Sequence, residues 1–167
     1  VAGYGSDTGA GSFTDWIAEN GYTTGSDDDL TVAQLRQRGS DYIDALYGQR
    51  FRGEPAGGID QERAWPRVNA TFWKASVPAD AIPRNVVIAS YHAALHEAQN
   101  PGSLAAAARS SEALKRKKID TIEREYFEGS GNAAADATIK LSAVEGLLAP
   151  FLLPEVAGSG LGVWSVG

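Results

Sequence analysis

His92 and His96 stand four residues apart in a segment of helical periodicity, the spacing that puts two metal ligands on one helix face. The zinc-protease pattern also needs Glu directly after the first His, and here that residue is Ala93. With 2 histidines and no cysteine in the chain, a site would have to draw on carboxylates such as Glu97 or Glu112. The expectation is a pair that is solvated or satisfied in the core, with no metal. Gly3-x-Gly5 and Gly158-Ser159-Gly160 superficially suggest phosphate loops, but neither follows a strand or ends in Lys-Ser/Thr. No Gly-x-Ser-x-Gly nucleophile elbow occurs. Carboxylates are plentiful, yet nothing in their spacing pairs any two. The residues therefore predict no catalytic group and no cofactor.

One run could meet nucleic acid. Lys115-Arg116-Lys117-Lys118, followed by Tyr126 and Phe127, has the cations and aromatics of a single-strand binding surface. Against it, residues 115–128 hold five basic and four acidic side chains, so the local charge is near zero, as in a solvated strand or turn. The whole chain is acidic, with net charge −6 and pI near 4.9. A general DNA binder normally carries a basic face, so tight general binding is disfavoured while a local contact is not. At the other end of the chain, Leu161, Val163 and Trp164 stand in a glycine-rich tail that gains nothing by exposing them, which suggests burial on a partner.

The elements that must position these residues are mainly helical. The 167 residues suggest one domain with room for a core. Residues 1–12, rich in Gly and Ser, read as a flexible N-terminal arm, 13–153 as the domain, and 154–167 as an extended tail. A short helix is expected over 13–20 with Thr14 as its cap, stopped by Asn20-Gly21. A longer one is expected over 30–47, with Asp27–Asp29 before it and Gly48 ending it. Its Val32, Leu35, Gly39, Tyr42, Ile43 and Leu46 form one apolar stripe. Residues 51–78 mix prolines and glycines with Phe51, Trp65, Phe72 and Trp73, which predicts a long loop held down by its own aromatics. A helix over 82–98 follows, with Asp80 as cap and Pro83 in its first turn, then a helical extension over 105–114. Ile119–Phe127 is the strand or hairpin candidate, and Ser142–Leu152 a last helix. The fold class is thus a small, mainly α bundle with an aromatic-anchored loop and one short strand. No signal peptide is visible, and the longest apolar run, near Leu147–Leu153, is too short to span a bilayer.

Several short motifs carry a resemblance. Tyr47-Gly48-x-x-Phe51-x-Gly53, Gln61-x-x-Ala64-Trp65-Pro66-Arg67, Val77-Pro78 and Ile82-Pro83-x-x-Val86 resemble small proteins encoded among the head–tail genes of tailed bacteriophages. So do Lys117-Lys118-Ile119, Glu123-Arg124-Glu125-Tyr126 and the run Ala143–Pro150. Members of that group are described as head–tail connectors (adaptors) or as DnaT-like single-stranded-DNA-binding proteins. The matches span about 13–153; Phe72-Trp73-Lys74 adds aromatic weight that the family's loop often lacks, and both termini lie outside the resemblance. What the resemblance implies is a structural, non-enzymatic virion subunit made in the bacterial host cytoplasm. It would form a ring of twelve at the head–tail junction, between the portal protein and the tail terminator or stopper. Genomic DNA would pass through the lumen without tight binding, and no membrane is involved. Trp65, Pro66 and Arg67, with Leu161, Val163 and Trp164, are the expected portal or subunit contacts. The alternative is single-stranded-DNA binding through Lys115, Arg116, Lys117 and Lys118.

Overall fold

The computed structural model describes residues 2–25, 30–106 and 140–154. The basic run Lys115–Lys118, the strand expected over 119–127 and the Leu161–Trp164 tail lie outside the described residues.

The expected class holds: the described chain is mainly α, with two small antiparallel strand pairs. Helix α1 (Phe13–Asn20) starts at Ser12 rather than at Thr14, because Ser12 Oγ accepts the Asp15 N–H at 3.2 Å. Thr14 instead turns its hydroxyl to the Asp7 carbonyl. Gly21 ends α1 at φ 65°, a left-handed stop that suits glycine. Helix α2 (Val32–Tyr47) opens with a reciprocal capping box between Thr31 and Gln34. Its Gly48 is no left-handed stop; φ −53° lets the chain run straight into a 3-10 turn over Gly48–Arg50.

Helix α3 (Arg84–Gln99) is the centre of the molecule. Pro83 occupies its cap position with no side-chain cap, so Asp80 does not serve there. Val86, Ala89, Ser90, Tyr91, Ala93, Ala94, Leu95, Glu97 and Ala98 are all buried, more than one face of a helix. The reason is that α3 packs against both α2 and the last helix, α5 (Ser142–Leu148). The α2–α3 approach is close: a Cβ on Gly39 would lie 2.3 Å from the Ser90 carbonyl. The short α4 (Ser103–Ala106) overlaps the extension expected over 105–114, of which residues 107–114 lie outside the described residues, and a 3-10 turn (Ala149–Phe151) follows α5.

The N-terminal segment, read from its composition as a flexible arm, is packed instead. Tyr4 is 3% exposed, and its N–H donates to Ser40 Oγ at 2.8 Å. Arg36, buried on α2, donates to the carbonyls of Gly3, Tyr4 and Gly5 and pairs with Asp7. Glycine composition signals backbone freedom, but a buried guanidinium gathering three carbonyls removes it.

The loop over 51–78 is held by Phe51 and Trp65 together with Phe151 from outside it, whereas Trp73, expected among the anchors, is exposed. Phe51, Trp65 and Phe151 meet edge to face, with ring centroids 5.5 and 5.7 Å apart. Two ribbons stiffen it. Strand β1 (Glu54–Pro55) pairs with β2 (Arg67–Val68), and β3 (Thr71–Phe72) with β4 (Ala75–Ser76).

Candidate nucleic-acid interface

The residues marked in the sequence fall in different places. Trp65 is 1% exposed and Arg67 6%, both inside the subunit. Arg67 donates to the carbonyls of Phe51, Arg52, Gly53 and Ala64, so it staples the loop from within. Burial lowers its pKa below the usual guanidinium range, and backbone carbonyls hold the charge. Any portal or neighbour contact expected of this motif would have to run through the loop surface, not through these two side chains. Pro66 is half-buried, joined to Trp65 by a cis peptide.

His92 and His96 do not assemble a metal centre. His92 stacks its edge on Trp16 at 4.8 Å and faces Tyr22, and burial pushes its pKa down. Glu97, the carboxylate that could have joined them, is fully buried and fully used. It accepts the Gly102 and Leu104 N–H groups at 3.0 Å each and Arg38 Nη1 at 2.6 Å. Burial alone would raise its pKa; those donors outweigh burial and lower it. Among the described residues no group of three or more His, Asp or Glu could hold a metal ion.

The exposed chemistry lies at the β3–β4 hairpin. Its register, Thr71 with Ser76 and Phe72 with Ala75, leaves Trp73 and Lys74 as the two-residue turn. Trp73 has φ +55°, at a turn position where glycine or asparagine is the usual choice. Holding a bulky residue there costs about 1–3 kcal/mol. The indole is also 69% exposed, so burial does not offset that strain. Lys74 beside it is exposed. The base of the hairpin is firm: Phe72 packs on Phe151 at 5.1 Å, Trp73 N–H donates to Pro150 O at 3.3 Å, and Val77 N–H to Ala70 O at 2.9 Å. The result is a rigid post with an aromatic ring and a cation at its tip. Such a tip can stack on a nucleobase while its cation meets a phosphate.

Ala149, in the turn that seats the hairpin, also lines an open pocket of about 390 Å³ whose walls include Tyr47, Arg50, Arg52 and Glu145. Arg52 N–H donates to Phe151 O at 2.9 Å and its Nε to Leu152 O at 3.2 Å, while Leu153 N–H donates to Arg50 O at 2.7 Å. Hairpin tip and arginine cavity therefore rest on one support.

Sequence reasoning had noted Phe72-Trp73-Lys74 only as aromatic weight, and had not singled out Arg50 or Arg52. The missing clue was positional: a two-residue turn without Asn-Gly or Asp-Gly does not announce a hairpin.

The chain belongs to the family described as putative DnaT-like ssDNA binding protein, which matches residues 2–166. No curated protein and no solved structure matches it.

Proposed function

We propose that this protein binds single-stranded DNA without catalysing a reaction, Trp73 stacking on a base and Lys74 meeting the adjacent phosphate. The observation that carries this reading is Trp73 itself, strained at φ +55° and 69% exposed, in a chain of this family. A folding role would have hidden the ring or chosen a smaller residue. The acidic balance, net −6, implies modest affinity, and each phosphate contact makes that affinity fall with salt. Lys115–Lys118 would add phosphate contacts from outside the described residues. Fluorescence anisotropy with labelled oligo(dT) tests the reading. Base–aromatic stacking is worth about 1–3 kcal/mol, so Trp73→Ala should weaken binding roughly 5- to 150-fold. Equal affinity for a duplex of the same length, or an unaffected variant, would sink it.

A second reading has its own observation. Ile59, on the 3-10 turn Gly58–Asp60, is 99% exposed, and Leu153 is also exposed. Apolar side chains so placed, on an acidic chain, suit a head–tail connector subunit in a virion ring with the portal protein and a stopper as partners. In that case the protein should be present in purified particles in equal copy number with the portal. Its absence from particles would remove this reading.

A further inference from the structure

Arg36, Arg38 and Arg63 each have a carboxylate partner. Arg50 and Arg52 differ: among the described residues, neither guanidinium has a carboxylate within ion-pair distance. Arg50 lies over the Tyr47 ring at 6.0 Å, and its Nε is buried with no hydrogen-bond partner. Tyr47 is 2% exposed; burial, and then Tyr42 beside its hydroxyl, raise its pKa. A buried, unmet donor on a cation costs roughly 1–3 kcal/mol or more, so the Arg50 guanidinium, which lines the pocket, lacks an acceptor among the described residues.

The charge inventory selects the acceptor. Two guanidiniums and the Glu145 carboxylate give the cavity walls one net positive charge. That matches a monoanion better than a dianion, because Glu145 repels a second negative charge. The volume of about 390 Å³ admits a phosphate with part of its sugar. We infer that the pocket lined by Arg50 and Arg52 binds a backbone phosphodiester, gripped by the two guanidinium forks. This deepens the single-stranded-DNA reading, on which it rests, by adding a phosphate seat on the same turn that carries the Trp73 post.

The test uses the full chain and two readouts. In the first, oligo(dT) affinity is followed against salt for the parent, Arg50→Gln, Arg52→Gln and Trp73→Ala, with circular dichroism as the control for folding. Each arginine variant should flatten the log–log salt slope by about 0.7, the value of one phosphate contact on a single strand, while Trp73→Ala leaves the slope unchanged. Arginine variants that bind with the parental slope would overturn the cavity and leave the DNA reading standing. In the second, the parent is titrated with diethyl phosphate, a diester monoanion without a base, and the Arg50 Nε–H resonance is followed by NMR. A saturable shift is expected even if oligo(dT) does not bind, an outcome that would remove only the DNA reading. No shift, or the same shift with acetate, would overturn the phosphodiester assignment.

Discussion

Gly39 is where α2 and α3 come closest, and Gly39→Ala probes that contact with a single methyl group. The added Cβ would sit 2.3 Å from Ser90 O, 2.7 Å from Ala94 N and 3.0 Å from Ala94 Cβ. Reaching an ordinary 3.4 Å contact requires the helices to part by about 1 Å. Two of the three atoms are backbone in the middle of α3, so no side chain can swing away. Overpacking of this kind costs about 1–3 kcal/mol, and a backbone clash belongs at the upper end. Alanine returns about 1 kcal/mol through helix propensity, which leaves a net loss of about 2 kcal/mol. For a chain of this size that lowers Tm by roughly 4–8 °C. Gly146→Ala is the internal control: it lies in α5, exposed, with nothing within 4 Å of the new Cβ. The same substitution there should raise Tm by roughly 2–4 °C, from about 1 kcal/mol of propensity. Thermal melts followed by circular dichroism read both. Gly39→Ala melting at or above the parental Tm would refute the packing derived for α2 and α3.

Two further outcomes follow from buried groups. Glu97→Ala leaves the Gly102 and Leu104 N–H groups without their acceptor, which should cost about 3 kcal/mol in urea unfolding. Arg38→Ala, removing the half-exposed partner but leaving both backbone donors on the buried carboxylate, should cost less than Glu97→Ala. Stability should also fall on acidification in two stages. His92 has its folded pKa lowered by burial, so its contribution is intact above about pH 6.5 and is lost as pH falls from there through the lowered folded value. Glu97 has its folded pKa lowered by its donors despite burial, so its contribution is intact above about pH 4.3 and lost below it. His92→Gln should remove the first stage and spare the second, as read from urea midpoints across the pH range.

Periodicity carried the helices well because their stripes are real: Leu35, Gly39, Tyr42 and Ile43 are all buried on α2. Periodicity does not show how much of α3 is buried, since a helix covered on two sides has no polar face to set its phase. Composition misled at the N-terminus, where glycines around Tyr4 looked like a loose arm. The residue that ties them down, Arg36, is about 30 positions away and reads as an ordinary surface cation. The same long reach hid the role of Arg67 inside the loop, whose carbonyls accept its hydrogen bonds. Nothing local marked Arg50 and Arg52 either; their cavity exists only because residues 149–154 return to cover the end of α2. Trp73 was visible as a tryptophan, but its exposure and its positive φ belong to the folded hairpin alone.

The hairpin gives the most direct test, because stability and binding should move in opposite directions there. Trp73→Asn relieves the strained φ +55°, since asparagine tolerates the left-handed region, and removes the stacking ring. The measurement is oligo(dT) affinity and Tm on the same preparation of parent and variant. The expected result is a Tm at or above the parental value, with affinity lower by roughly 5- to 150-fold. A variant that binds oligo(dT) as tightly as the parent would contradict the assignment of Trp73 as the base-stacking residue.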